Sequence, residues 1–144
     1  MKRVALRSLL AGLFMLPLFL YGQPSKMVGR WFTFDDVDGS KKSVVEITKK
    51  SNGIYEGTIV EILTGNTNKR CVDCSGEDKD KPILGLKIIK NLKESGKKLS
   101  GGTILDPNNG KVYNCTISLE EGNNNQIKLR GSLDKFGLLG RNQT

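Results

Sequence analysis

The feature that most constrains this chain is a two-residue alternation of apolar and other side chains, which recurs in short segments from residue 28 onward. Successive side chains of a β-strand point to opposite faces, so this period predicts strands with one buried face. In residues 111–119 the predicted inner face holds Tyr113, Cys115, Ile117 and Leu119. In residues 126–133 it holds Ile127, Leu129 and Leu133.

Eight such segments follow one another, and turn-forming residues separate most of them. The predicted strands are residues 28–35, 42–48, 54–62, 84–92, 98–105, 111–119, 126–133 and 136–141. The intervening dipeptides are Asp38-Gly39, Asn52-Gly53, Ser95-Gly96, Asn109-Gly110 and Gly122-Asn123. Asn, Asp and Gly accept the positive φ values that tight hairpins need. This spacing predicts an all-β fold, a small antiparallel up-and-down β-barrel of about eight strands.

The first 22 residues have the features of a secretory signal peptide. Lys2, Arg3 and Arg7 precede an apolar run at residues 9–20, which is too short to span a bilayer as a stop-transfer helix. Cleavage is predicted near Gly22, with an uncleaved N-terminal anchor as the alternative. We therefore expect an exported protein, periplasmic or secreted, with a single domain at residues 23–144 and no transmembrane segment in the mature chain.

The composition disfavours most catalytic chemistry. The chain contains no histidine, which removes the commonest general base and metal ligand at neutral pH. Removal of the first 22 residues lowers the net charge from +8 to +5, because three basic residues and no acids are lost. The remaining basic residues are scattered among turns, which argues against nucleic-acid binding. We expect a non-enzymatic protein without a cofactor or metal.

Two of the three cysteines lie in the longest connection of the domain, residues 64–82. Two residues separate Cys71 from Cys74, and in an exported protein this spacing favours a disulfide. A redox-active pair and a zinc site are alternatives, although zinc needs four ligands and the chain has three cysteines and no histidine. Cys115 is expected to be a small buried side chain, and a disulfide from it to Cys71 or Cys74 stays open.

The segment from Asp106 to Lys111 is predicted to form a hairpin turn. Pro107 fixes φ at the corner, and Gly110 supplies a positive φ at its end. In an alternative functional interpretation, Asp106 and Lys111 line the mouth of the barrel.

The motifs, taken in order along the chain, resemble those of a known bacterial family. Gly29-Arg30-Trp31 matches the G-x-W opening of lipocalin-type barrels. After it come Cys71-x-x-Cys74-x-Gly76, Lys81-Pro82-Ile83, G-G-x-I-L-D-P-x-x-G-K-x-Y at residues 101–113, Arg130-Gly131 and Leu139-Gly140-Arg141. From about residue 28 to residue 143 this order resembles the bacterial domain of unknown function 2147 family. Its members look like exported lipocalin-like barrels without an established activity.

The resemblance also implies roles for individual residues. In lipocalin-type barrels the tryptophan packs across the barrel floor near an arginine from a late strand, so Trp31 is expected to stack on Arg130 or Arg141. The implied important positions are Trp31, Cys71, Cys74, Gly76, Lys81, Asp106, Gly110, Lys111, Tyr113 and Arg141. Family members continue past the final G-R-x-Q with another aromatic residue, whereas this sequence stops at Thr144, so we expect a short last strand.

Two functions are the leading candidates for such a fold. An enzyme that relies on Asp, Lys, Tyr or Cys is a third, although no nucleophile, base and orienting residue are spaced to suggest one. The first is a binding module that holds a small apolar or amphipathic ligand in the interior or mouth of the barrel. Its candidate residues are Trp31, Arg130, Arg141, Tyr113, Asp106, Lys111 and Lys81. The second is a structural or interaction protein of the cell envelope, with a core filled by side chains and residues 64–82 as its contact surface.

Glycines bear on the choice between these functions. Interior glycines either leave room for a ligand or serve bends in the strands. Those in question are Gly57, Gly101, Gly102 and Gly131.

Overall fold

A computed structural model describes residues 24–144; the predicted signal peptide and its cleavage site lie outside the described residues. A 3₁₀ helix at Pro24–Met27 precedes eight strands: β1 (Gly29–Phe34), β2 (Lys41–Lys49), β3 (Tyr55–Ile62), β4 (Lys87–Ser95), β5 (Lys98–Asp106), β6 (Lys111–Glu120), β7 (Asn123–Ser132) and β8 (Gly140–Gln143). A second 3₁₀ helix, Gly76–Asp78, lies between β3 and β4. Within residues 24–144, neither helix has the length and apolar character to cross a membrane.

All eight strands belong to one antiparallel sheet, and their order in the sheet is their order in the chain. The sheet curls into a half-barrel, which confirms the predicted up-and-down all-β fold. In such a meander the connections alternate between two ends. We call the end with the β1–β2, β3–β4, β5–β6 and β7–β8 connections the rim. The opposite end, where the N-terminal helix precedes β1, is the floor.

The sheet is open between its first and last strands. Over residues 24–144 no backbone ladder joins β8 to β1. Two side chains of β8 contact the β1–β2 turn instead. Arg141 Nη2 lies 2.9 Å from Asp36 Oδ2, and Gln143 Nε2 donates to the same carboxylate at 3.2 Å. As expected, β8 is short. It pairs with β7 only from Leu129 to Ser132, so residues 123–128 of β7 have no strand on that side.

Side chains fill the interior of the half-barrel. The largest fully buried ones are Tyr55, Met27, Ile47, Leu92, Leu99 and Ile117. Trp31, Leu119 and Leu129 pack against this core from its edge. Because one continuous cluster of apolar side chains joins most strands and the N-terminal helix, burial of apolar surface holds the curled sheet together.

The interior glycines allow close packing rather than leaving a cavity. A Cβ atom at Gly57 would lie 2.7 Å from Ile89 Cδ1, and one at Gly102 would lie 2.2 Å from the Lys90 carbonyl oxygen. A Cβ atom at Gly131 would lie 3.6 Å from Tyr113 Cβ, which is ordinary contact, and Gly101 adopts a φ of +76°. These positions therefore serve bends and strand contacts.

The sequence prediction is wrong in several details, among them three at the ends of strands. Leu133 was expected to face inward but is exposed, because β7 ends at Ser132, which is buried instead. The fourth strand begins at Lys87 rather than residue 84, since Gly85 has a φ of +84° and Leu86 N donates to Ile83 O in a turn. The eighth strand begins at Gly140 rather than residue 136, because residues 134–139 form a hydrogen-bonded loop.

Candidate functional site

The predicted Cys71–Cys74 disulfide is present, with the two Cα atoms 5.3 Å apart. Both cysteines are buried, which does not suit a redox-active pair, because the attacking sulfur of such a pair must be reachable. Neither sulfur is left as a thiolate ligand for zinc. Cys115 is a free buried thiol, and burial raises its pKa to about 12. All three cysteines thus lie among the apolar side chains of the core.

The long β3–β4 connection packs on the β5–β6 turn at the rim. Cys71 Sγ lies 3.5 Å from the Pro107 carbonyl oxygen, and Lys69 Nζ donates to Asn108 Oδ1 at 2.9 Å. A Cβ atom at Gly110 would lie 1.8 Å from the carbonyl oxygen of Asp73. The two longest sequence motifs therefore meet in one unit, residues 69–82 with residues 106–111, which we call the rim brace.

Asp106 organises the turn within the rim brace, which confirms the predicted hairpin. Its carboxylate accepts hydrogen bonds from Asn108 N at 2.9 Å and from Asn109 Nδ2 at 3.1 Å. Lys111, its cross-strand partner, is exposed. Tyr113 lies half-buried beside Gly131 in the sheet. These contacts account for the turn without a ligand.

Ion pairs fasten the second 3₁₀ helix to β4. Lys90 Nζ lies 2.6 Å from Asp78 Oδ2, and Lys81 Nζ lies 3.4 Å from Asp78 Oδ1. The hydrogen bond from Lys90 is the main reason that the pKa of Asp78 is lowered, and it raises the pKa of Lys90 in turn. Lys81 thus acts within the rim brace.

A polar groove of about 480 Å³ lies beside this helix and β4. Glu56 in its wall pairs with Lys87 at 2.6 Å, and the hydrogen bond from Lys87 is the main cause of the lowered pKa of Glu56. Glu77 in the same wall pairs with Lys90 at 3.6 Å. Since each charged side chain that lines the groove has an opposite partner, the groove presents no unbalanced charge to a ligand.

Trp31 occupies the floor side of the sheet as expected, but it does not stack on an arginine. Its Nε1 donates to the Met27 carbonyl oxygen at 2.9 Å. Arg130 Nε donates to Gly137 O at 2.7 Å, and Arg141 pairs with Asp36. In the described part of the chain, the cations that lie over rings are lysines, at Phe32 and Tyr55. The predicted Trp–Arg pairing is wrong because both guanidiniums are used on the outer side of the sheet.

A cleft of about 360 Å³ opens where β7 has no β8 partner and faces β1. We call it the β1–β7 cleft. Its lining includes Trp31, Phe32, Phe34, Gln126, Ile127 and Thr144. Phe32 and Phe34 are about half exposed, and Lys41 Nζ lies 3.8 Å from the centroid of the Phe32 ring. The cleft combines aromatic walls with a cation at its side.

The sequence candidates do not form one site. Lys81, Asp106 and Lys111 belong to the rim brace, and Trp31 lines the cleft. Arg130 supports the β7–β8 loop, whereas Arg141 joins β8 to the β1–β2 turn. Sequence reasoning missed Phe32 and Phe34. The sequence does contain a sign of them, because Trp31, Phe32 and Phe34 place aromatic rings on both faces of one strand. This breaks the apolar–polar alternation.

The half-barrel, with its filled interior and its strands in meander order, has a lipocalin-like fold. Its structure is similar to that of the Helicobacter pylori protein HP1028, which is described as belonging to the lipocalin family. The TM-score is 0.68, with 18% identity over 81% of this chain and 78% of that chain. The family model described as "Uncharacterized protein conserved in bacteria (DUF2147)" matches residues 29–144, so the chain belongs to that family. A comparison with curated proteins finds no match.

Proposed function

We propose that this protein is an exported binding module that holds an amphipathic ligand, with an apolar chain and an anionic headgroup, in the β1–β7 cleft. The observation that carries the proposal is a concave, aromatic-lined opening in the wall of a half-barrel whose interior is otherwise filled. A volume of about 360 Å³ falls within the usual range of small-molecule sites.

The lining supports this ligand chemistry. The rings of Trp31, Phe32 and Phe34 offer apolar surface to a chain. Arg30 at the cleft already pairs with Glu46 at 3.1 Å. Lys41, in contrast, takes part in none of the ion pairs formed within residues 24–144, and its ammonium group rests against Phe32. A carboxylate or similar anion beside Phe32 would form an ion pair with the Lys41 ammonium group.

The interior is the less suitable place for a ligand. Tyr55, Leu92 and Leu99 are fully buried in a continuous core, so a ligand inside would have to displace packed side chains. The cleft needs no such rearrangement, because Phe32 and Phe34 already face open space.

The second candidate, an interaction protein of the cell envelope, is favoured by the filled core. Its proposed contact surface at residues 64–82 is less well supported. Cys71 and Cys74 are buried, and Asp73 contacts Gly110. We therefore interpret this loop as a brace for its own domain.

Loss of the two cleft phenylalanines should weaken ligand binding without unfolding the protein. For Phe32→Ala combined with Phe34→Ala, we expect the Kd for a dansyl-labelled medium-chain fatty acid to rise about tenfold or more, because apolar contact area is lost. The rings are half exposed, so the melting temperature should change little. Dansyl fluorescence titration measures the Kd.

The matched control is Val112→Ala, which removes an exposed apolar side chain of β6 outside the cleft. It should leave the Kd unchanged. An unchanged Kd in the double variant, or equal losses in variant and control, would contradict the proposal. So would a wild-type protein that does not bind the probe.

A further inference from the structure

The connection between β7 and β8, residues 133–139, exposes an unusual amount of apolar surface at the rim. Leu133, Phe136, Leu138 and Leu139 are 69%, 91%, 80% and 68% exposed. Single exposed apolar side chains are common, but a cluster on one short loop marks an interaction surface. We propose that this apolar rim loop docks the protein on an anionic lipid bilayer. The inference goes beyond the proposed function, because the loop does not line the β1–β7 cleft.

The loop is held in shape by its own hydrogen bonds. The Asp134 carboxylate accepts from Leu138 N at 2.9 Å and from Leu139 N at 2.6 Å. Ser132 Oγ donates to Asp134 O at 2.9 Å, and Arg130 Nε donates to Gly137 O at 2.7 Å. This bonding keeps the apolar side chains pointing outward. It also satisfies several backbone groups, which lowers the cost of moving the loop into a membrane interface.

A neighbouring rim connection adds to the same surface. Val37, in the β1–β2 turn, is 95% exposed. It follows Asp36, whose carboxylate binds Arg141 and Gln143 of β8. The turn and the apolar rim loop therefore lie side by side. Apolar side chains that protrude from adjacent loops suit shallow insertion among lipid headgroups.

The charges favour an anionic surface. Lys135 is exposed next to Phe136, and the described residues carry a net charge of +5, from 20 basic and 15 acidic residues. Of the acids in these two connections, Asp35 pairs with Lys42 and Asp36 with Arg141. Asp38 and Asp134 form no ion pair within residues 24–144, and backbone N–H groups bind both carboxylates. Basic residues close to an anionic leaflet add to attraction by the bilayer.

Vesicle flotation tests the proposal with mixed phosphatidylcholine–phosphatidylglycerol vesicles and the full chain. For Phe136→Ser combined with Leu138→Ser, we expect the partition coefficient to fall about tenfold, because two inserted side chains are lost. The matched control is Val72→Ser combined with Val112→Ser, which removes exposed apolar side chains elsewhere and should bind as the wild type does. All variants share the N-terminal segment, so its contribution cancels.

A reporter variant provides an independent readout. Trp31 is the only tryptophan in the sequence, so Phe136→Trp adds one fluorophore at the loop tip with little change in shape. Vesicles should shift its emission to shorter wavelength by more than they shift the wild-type emission. Absence of that shift would overturn the proposal.

Two further outcomes would also overturn it. One is equal vesicle binding by the wild type and the loop double variant. The other is a wild type that ignores vesicles but self-associates through the loop in sedimentation velocity, which would make a second copy the partner. The variant with Phe32→Ala and Phe34→Ala should still bind vesicles, so failure of the cleft proposal is distinguishable from failure of this one.

Discussion

Replacing Gly110 with alanine is expected to lower the free energy of unfolding by about 3 kcal/mol. Gly110 has a φ of +68°, and a Cβ atom there would lie 1.8 Å from Asp73 O and 2.9 Å from Cys74 N. Both are backbone atoms, so neither can rotate away as a side chain could. The β3–β4 connection would have to lift off the β5–β6 turn. Urea denaturation measures the loss, and faster proteolysis within residues 64–82 should accompany it.

Gly96→Ala and Gly122→Ala are matched controls for this prediction. Both glycines have a positive φ, +58° and +75°, but an added Cβ would meet nothing within 4 Å. Each substitution should therefore lower the free energy of unfolding by about 1 kcal/mol, because only the positive φ disfavours alanine there. If Gly110→Ala lowers the free energy of unfolding no more than these controls do, the rim brace is not packed as described. Residues 64–82 would then again be a candidate contact surface.

Replacing Ile117 with alanine is expected to lower the free energy of unfolding by about 3 kcal/mol. Ile117 is fully buried in the core, so truncation removes apolar contacts and leaves a cavity. Val112 on the same strand is exposed, and Val112→Ala should change stability by less than about 0.5 kcal/mol. Chemical denaturation of both variants measures the difference.

The Ile117 result also separates a filled interior from an open one. In an open barrel the Ile117 side chain would line a ligand cavity. Its truncation would then lower the free energy of unfolding little more than truncation of Val112 does. Equal effects in the two variants would therefore contradict the filled core.

The strands could be predicted because the signals for them are local. Cys115 and Ile117 are buried and Thr116 between them is less so, as the two-residue alternation predicted. The Asn109-Gly110 turn likewise follows from residue chemistry, since Gly110 adopts a positive φ. Alternation and turn residues thus suffice for strand number, order and buried faces in this fold.

The ends of two strands, β7 and β4, are set by turns and hydrogen bonds that cannot be read from the alternation of apolar and polar residues. Asp134 accepts hydrogen bonds from Leu138 and Leu139, which holds these residues in a loop although their side chains look strand-like. The same loop leaves Leu133 exposed. Gly85 sets the turn before β4 in a comparable way.

The sites were harder to predict because they depend on how distant strands face each other. The cleft exists because β8 pairs with only part of β7, which leaves Ile127 opposite the β1 aromatics. The Trp31–Arg130 pairing could have been rejected from the sequence pattern. Arg130 shares the polar face of its strand with Gln126 and Lys128, whereas Trp31 faces the core.

Photo-crosslinking with a diazirine-bearing fatty acid, followed by peptide mapping, tests most directly whether the β1–β7 cleft is the ligand site. We predict that the label falls on residues 30–34 of β1 and residues 123–128 of β7, and that unlabelled fatty acid competes it away. Label on core residues such as Leu99 or Ile117, or on residues 64–82, would contradict the assignment.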